Sequence, residues 1–163
     1  MIERTFVMIK PDGVKRSLVG EILSRFEKVG LKVIGMKMTW VDEDFAKKHY
    51  TEDITIRRGE KVRNNLVTFL KEGPVIAFVL EGIEAIEIVR KMVGETESKS
   101  AAPGTIRGDY SHVSFAHADK KDMAVKNLIH ASANQEDAKN EIALWFSVED
   151  LYQYKTLNES HTL

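Results

Sequence analysis

The chain has 163 residues, of which 43% are hydrophobic and 30% are charged, and its formal net charge is −1. This composition is typical of a single folded domain, and the absence of cysteine excludes a disulfide framework and a thiolate metal site. The near-zero charge argues against a protein devoted to nucleic acid, for which an isoelectric point above about 9 is expected. No signal segment and no membrane-length apolar run occurs, so we expect a cytoplasmic protein without membrane contact.

In the first half of the chain, hydrophobic spacing predicts strand, helix, strand, helix and helix over 5–10, 19–29, 31–41, 42–50 and 62–70. The second strand changes its apolar phase at Gly35, which predicts a β-bulge. Asp42 is expected to cap the helix that follows it. The segment 51–59 shows no clear period and is left without a predicted element.

The second half of the chain predicts strand, helix, strand and helix over 75–80, 86–93, 127–131 and 135–146. The polar segment 94–122 separates the last strand from the elements before it. Loops longer than about 12 to 15 residues are usually functional or disordered. We therefore expect this segment to be a long loop that contributes to function.

This order of elements contains the β-α-β-β-α-β skeleton of a ferredoxin-like fold. It predicts an α+β domain spanning residues 1–163, with a four-stranded antiparallel sheet covered by helices on one face. A long loop precedes the last strand.

Two residues near the end of the chain stand out for their chemistry. Glu141 lies three residues after Ala138 and four before Trp145, which places a carboxylate on or beside the buried face of the last predicted helix. An unpaired buried carboxylate is costly, and His130, on the strand just before, is a candidate partner. A carboxylate bound to one imidazole nitrogen leaves the other as base or nucleophile. From spacing alone, a packed core histidine is the more common alternative.

Neither of the glycine-rich loops that bind phosphate through the backbone occurs in the sequence. A phosphate ligand would therefore need basic side chains. The candidates are Lys10 at a strand end, Arg90 on a helix and Arg107 in the polar segment. Each of them, taken singly, is by default a solvated surface charge.

Short blocks of sequence spread over nearly the whole chain give the most specific indication of function. They are ERTFVMIKPDGV (3–14), LVGEI (18–22), HY (49–50), GP (73–74), VGET (93–96), PGTIRGD (103–109), NLIH (127–130) and EIALWF (141–146). In this order the blocks resemble the nucleoside diphosphate kinase family, whose fold is the ferredoxin-like one.

The resemblance implies an enzyme that moves the terminal phosphate of ATP, or another nucleoside triphosphate, to a nucleoside diphosphate. The implied mechanism is ping-pong, through a phosphohistidine at His130. The resemblance also implies that Glu141 orients this imidazole, that Ser132 supports it, and that Lys10 reaches the terminal phosphate and the sugar hydroxyl.

The nucleotide-binding residues are implied in the same way. Arg90, Thr96 and Arg107 match the family's phosphate ligands, Asn127 matches its sugar ligand, and Tyr50 matches a tyrosine near the histidine. Mg²⁺ is expected to arrive with the nucleotide phosphates, so no metal site made by the protein is expected.

The implied partners are ATP and other nucleoside tri- and diphosphates, with no stable nucleic-acid partner. Members of the family are hexamers or tetramers, and the long C-terminal segment 146–163 favours a homohexamer over a tetramer.

The chain departs from the family's sequence pattern at the position that stacks on the nucleotide base and in the length of the loop before the last strand. Val62 stands where the family places a phenylalanine that stacks on the base, so weaker contact with the base is expected. The loop 110–124 is longer than usual by about ten residues. His112 and His117 lie in it and are more often solvated than metal ligands.

Two other functional classes remain open at this stage. One is a catalytically weakened relative that acts as a nucleotide-binding or interaction module. The other is a ferredoxin-like RNA-binding domain, which would stack bases on aromatic residues of the sheet. The candidates for such stacking are Phe6, Trp40 and Phe78.

Overall fold

A computed structural model describes residues 1–162. Its strands are β1 (Ile2–Ile9), β2 (Lys32–Thr39), β3 (Val75–Ile83) and β4 (Ile129–Ala131). Its helices are α1 (Pro11–Lys15), α2 (Val19–Lys28), α3 (Glu43–His49), α4 (Glu52–Arg58), α5 (Glu60–Leu70), α6 (Ala85–Val93), α7 (Ile106–Tyr110), α8 (Phe115–Lys120), α9 (Gln135–Trp145) and α10 (Glu159–Thr162). Two single-turn 3₁₀ helices lie at Ser98–Ser100 and Val148–Asp150.

The four strands form one antiparallel sheet in the order β2-β3-β1-β4. This arrangement confirms the predicted α+β, ferredoxin-like fold. The register shifts between Val33 and Gly35, so the predicted bulge is confirmed. Asp42 accepts a hydrogen bond from the backbone N–H of Phe45 and caps α3, as predicted.

Helices cover both faces of the sheet, so the expectation of a single covered face is wrong. Alternate residues of the central strand β1 are buried in different clusters. Phe6 and Met8 pack in one cluster with residues of α3, α5 and α9, whereas Val7 and Ile9 pack in the other with residues of α2 and α6. The sheet is therefore the middle of three layers. Of the three candidates for base stacking, Phe6 and Phe78 are fully buried, and Trp40, just after the edge strand β2, is exposed.

Two segments that were predicted without regular structure contain helices. α4 lies in the segment 51–59, and none of its residues is buried, so it has no apolar stripe from which a helix could be predicted. The long segment before β4 contains a 3₁₀ turn, α7 and α8. The side chains of Thr105 and Ser114 cap these last two helices, which are too short to show a period.

The outer edge of β2 is partly covered by the C-terminal segment. The backbone N–H of Tyr152 donates to the carbonyl of Ile34, and the Tyr154 hydroxyl donates to the carbonyl of Val33. Farther along the strand, Met36 and Met38 are exposed. Within residues 1–162, no helix has the length and apolar character needed to cross a membrane.

Candidate active site

Most of the predicted site residues, although far apart in sequence, meet in one cleft of about 670 Å³. The predicted residues that line it are Lys10, Tyr50, Arg90, Thr96, Arg107, Asn127, His130 and Glu141. Ser132 is fully buried behind the cleft, next to β1. Val62 is half-buried on α5 and is not among the residues that line the cleft.

His130 lies in the middle of β4, opposite Met8 of β1, and its ring is fixed by a carboxylate. Its Nε2 lies 2.7 Å from Glu141 Oε1, and the Ser132 hydroxyl donates to Glu141 Oε2 at 2.5 Å. The backbone N–H of Ser132 donates to the carbonyl of Phe6, which ties this residue to β1. Because a carboxylate accepts, Nε2 carries the ring proton and Nδ1 keeps its lone pair.

Lys10 is buried at the end of β1, and its Nζ donates to Asn127 Oδ1 at 2.7 Å. The amide of Asn127 donates in turn to the carbonyl of Thr96 at 2.7 Å. Burial, and then the nearby charge of Arg107, lower the pKa of Lys10 to about 7, although Asp12 opposes this shift. Lys10 therefore changes charge near neutral pH in the absence of a ligand.

Arg107, in α7, joins three parts of the chain through its guanidinium. Nε donates to the carbonyl of Asn127, Nη1 to that of Gly94 and Nη2 to that of Ile129. A guanidinium has five N–H groups, so two of them remain for a ligand. Burial, and then the charge of Arg90, lower the pKa of Arg107 to about 10, so it stays cationic at neutral pH.

Leu128, between Asn127 and His130, has a φ of 73°, a left-handed conformation that is rare for a bulky residue. Two hydrogen bonds from the turn after β1 hold it. Its N–H donates to Asp12 Oδ2 at 3.0 Å, and its carbonyl accepts from the Lys10 N–H at 2.8 Å. The same turn therefore sets the position of Lys10 and of the segment that leads to His130.

His49, for which the sequence predicts no role, also lines the cleft. It is the last residue of α3, and its ring lies edge-on to the His130 ring, with 4.8 Å between centroids and an angle of 85°. A signal for it was present, because His49 follows buried Ala46 by three residues and thus shares its apolar helix face. The neighbouring Tyr50 has a buried hydroxyl with no partner within residues 1–162, and burial raises its pKa, so it remains a donor.

The outer wall of the cleft is built from α4 and α5. Ile54, Arg58 and Leu66 line it, and the Arg58 side chain is exposed. Beyond the cleft, the side chains of Lys61 and Asn65 both reach Asp122, which links α5 to the long segment before β4. The outer wall therefore presents aliphatic and cationic side chains rather than an aromatic ring.

Within residues 1–162, one group of three potential metal ligands is found, made by His49, His130 and Glu141. One ligand atom from each lies within 4.8 Å of the others. The His49 Nδ1 lone pair, however, accepts the Trp145 Nε1–H at 3.2 Å, so the other nitrogen of a neutral ring carries the proton. His49 then offers no lone pair to a metal, and His112 and His117 are exposed outside this group.

Comparison with known proteins identifies the family to which this chain belongs. The family model described as "Nucleoside diphosphate kinase" matches residues 3–151. A nucleoside diphosphate kinase of Borreliella burgdorferi is 49% identical over 160 residues, which cover 98% of this chain and 96% of that protein. One of Pyrococcus furiosus is 50% identical over 153 residues, which cover 94% of this chain and 88% of that protein.

Solved structures give the same result. The nucleoside diphosphate kinase from Borrelia burgdorferi, a transition-state mimic with bound vanadate and ADP, has a TM-score of 0.97 at 49% identity, covering 99% of this chain and 96% of that one. The enzyme from Halobacterium salinarum in complex with CDP has a TM-score of 0.84 at 40% identity, covering 99% and 98%. The chain belongs to the nucleoside diphosphate kinase family, enzymes that bind nucleotides as substrates, require a divalent metal and transfer phosphate between nucleotides.

Proposed function

We propose that His130 carries the phosphoryl group in this reaction and that its Nδ1 is the nucleophile. The observation that supports this most directly is the 2.7 Å contact between Nε2 and Glu141, which leaves Nδ1 as the nitrogen with a free lone pair. Nδ1 attacks the terminal phosphorus of the donor nucleotide, and the bond to the bridging oxygen breaks as the diphosphate leaves. The acceptor diphosphate then attacks the same phosphorus and restores the neutral imidazole.

The attack places a positive charge on the His130 ring, because Nδ1 gains a bond while Nε2 keeps its proton. Glu141, already bound to Nε2 and held by Ser132, stabilises this charge without moving. Because little covalent chemistry is needed besides this, positioning and charge dominate the rate of phosphoryl transfer.

Cationic and polar side chains of the same cleft would bind the nucleotide. Arg90, Arg107 and Thr96 are the phosphate ligands in this proposal, with Lys10 reaching the terminal phosphate. In this proposal Asn127 binds the sugar together with Lys10, and the hydrogen bond that it accepts from Lys10 supports this pairing. Tyr50 adds a hydroxyl donor near the histidine.

We also infer that the divalent metal is Mg²⁺ and that the nucleotide phosphates hold it. Mg²⁺ prefers oxygen ligands. The part of the cleft that is proposed to bind the nucleotide phosphates offers mainly lysine, arginine, amide and hydroxyl groups. The carboxylate of Glu141 is already taken by His130 and Ser132. These residues fit a metal that is bound through the substrate and not by the protein directly. The positive charge of the metal would add to that of the side chains around the phosphates.

The test is labelling of the protein with γ-labelled ATP and Mg²⁺. We expect one label per chain that is lost in acid, retained in alkali and passed to added GDP. His130→Ala should abolish the label, whereas His117→Ala, which changes an exposed histidine, should retain it. A label that survives in His130→Ala would contradict the assignment of the carrier.

The alternative of a catalytically weakened, nucleotide-binding relative is not favoured. The relatives that match this chain over most of their length are named nucleoside diphosphate kinases, and the cleft contains both the histidine and the basic residues that transfer needs.

For the assembly we propose a homohexamer, with a tetramer as the alternative. The support is the free part of the β2 edge, where Met36, Met38 and Trp40 are all exposed. An exposed apolar edge strand of this kind is a surface that a second copy would cover. The mass of the protein in solution, measured by analytical ultracentrifugation, tests the proposal.

A further inference from the structure

His49 has one nitrogen that the protein leaves without a partner. The residue is buried, with 9% of its surface exposed, and its Nε2 makes no hydrogen bond within residues 1–162. Leaving a buried donor unpaired is unfavourable in proteins, because the group loses its hydrogen bonds to water without gaining another. Such a group at the edge of a cleft indicates a partner that arrives with a ligand or with a reaction intermediate.

The other nitrogen of His49 determines which atom carries the proton. Nδ1 lies 3.2 Å from Trp145 Nε1, and an indole nitrogen can only donate, so Nδ1 must accept. In the neutral ring the proton is then on Nε2. Burial, and then the charges of His130 and Lys10, lower the pKa of His49 well below its ordinary value, so the ring is uncharged at neutral pH.

The position of His49 relative to His130 is set by its packing. The His49 ring is perpendicular to that of His130, at 85°, and is nearly perpendicular to that of Trp145. A nitrogen of His49 lies within 4.8 Å of a nitrogen of His130 and an oxygen of Glu141. Both rings line the same cleft, so a phosphoryl group added to His130 would lie beside the His49 ring.

We propose that His49 is a hydrogen-bond donor to the phosphoryl group while His130 carries it, and that Trp145 fixes the tautomer required. This inference rests on the proposed role of His130. Glu141 binds the nitrogen of His130 opposite the phosphoryl group, and His49 would bind an oxygen of the group itself. No proton leaves His49 in this step, because the bond only forms and breaks as the group arrives and departs.

The first test uses the unmodified protein with ¹⁵N-labelled histidine. The His49 signals are identified by their absence in His49→Gln. We expect Nε2 protonated and Nδ1 unprotonated, with the Nε2–H resonance shifting and its exchange with water slowing after phosphorylation by ATP and removal of ADP. A proton on Nδ1, or a resonance that phosphorylation leaves unchanged, would overturn the proposal.

The second test compares two variants at the same position. In His49→Phe, which keeps a ring but has no donor, we expect kcat to fall about 10-fold while KM for ADP changes less than about twofold. His49→Gln supplies an amide donor and should stay within about threefold of the original kcat. Equal losses in both variants, or none in His49→Phe, would contradict a donor role. His117→Gln, at an exposed position, is the matched control.

The third test addresses Trp145. Trp145→Phe removes the Nε1–H, so His49 should show both tautomers, and kcat should fall less than in His49→Phe. Combined with His49→Phe it should cause no further loss, since it acts through the same ring. Additive losses would show that Trp145 does not act through His49. Acid-labile labelling of His130 in each variant separates this proposal from the carrier assignment, which fails only if the label itself is missing.

Discussion

The inner end of the cleft, around His130, and its outer wall, formed by α4 and α5, differ in how their side chains are held. At the inner end, Glu141 uses both carboxylate oxygens and Arg107 donates to three carbonyls. On the outer wall, α4 has no buried residue, and the exposed side chain of Arg58 lines the cleft. The inner end is therefore held by more buried contacts than the outer wall is.

This difference has a physical rationale. Phosphoryl transfer depends on placing the nucleophile and the phosphorus in line, and small displacements are costly there. Binding of the base contributes to affinity and tolerates adjustment. A buried inner end with a more exposed wall suits an enzyme family that transfers phosphate between nucleotides.

The largest expected effect comes from breaking the support of His130. In Glu141→Ala, kcat should fall by about 10- to 100-fold, because a hydrogen bond to a charged group contributes about 1.5–3 kcal/mol. Steady-state kinetics with ATP and GDP would measure this. Glu136→Ala, an exposed glutamate on the same helix, is the control and should keep full activity. Equal activity of the two variants would show that Glu141 does not support the ring.

A second prediction concerns the frame of the inner end. Arg107→Lys keeps the charge but cannot donate in three directions at once, so buried carbonyls lose their partners. We expect the free energy of unfolding to fall by about 1–3 kcal/mol and KM for ATP to rise about 10-fold. Urea unfolding and kinetics check both values. Arg16→Lys is the matched control, because Arg16 makes a single exposed bond to a carbonyl, and its unfolding should be unchanged.

The charge of Lys10 gives a prediction about pH. Its folded pKa, about 7, lies below the ordinary value, so raising the pH from 7 to 8 removes much of its charge and should weaken ADP binding about fivefold. Binding at pH 8 should take up protons, measurable by calorimetry in buffers of different ionisation enthalpy. Lys10→Gln should remove the uptake.

The lowered pKa of Lys10 also makes the free energy of unfolding depend on pH. Between about pH 7 and the unfolded pKa of 10.5, the unfolded chain binds more protons at Lys10 than the folded one. This group therefore increases the free energy of unfolding as the pH rises through that window. A decrease in the wild type relative to Lys10→Gln would contradict the shifted pKa.

The smallest expected effect lies at the outer wall. Val62→Phe adds an aromatic ring at the position that the resemblance aligns with the family's base-stacking phenylalanine, and KM for purine nucleotides should fall about two- to threefold with kcat unchanged. Val148→Phe adds the same ring at an exposed site and should change neither value. Unchanged KM in Val62→Phe would show that the base does not contact this position.

The sequence was informative where a pattern repeats or where residues are close along the chain. His130 and Glu141 are 11 residues apart, on a strand and on the next helix, so their pairing was predictable. Lys10, Arg90 and Arg107 could not be joined by spacing, since their meeting depends on strand order and on the long segment before β4. The resemblance to a family supplied that grouping.

What could not be predicted has physical causes. α4 is exposed and has no apolar stripe, while α7 and α8 are short helices that depend on single caps at Thr105 and Ser114. The apolar helix face of His49 was visible in the sequence, but the role proposed for it depends on Trp145, which is 96 residues away and reaches it only in the folded chain.

Leu128 brings two segments that are distant in the sequence into direct contact, so a change in one affects the other. The backbone oxygen of Leu128 would lie 3.0 Å from a methyl group at position 13, and Ile9 would lie closer still, so glycine is required there. A mutation that enlarges Gly13 would press on the segment that carries His130, more than a hundred positions downstream.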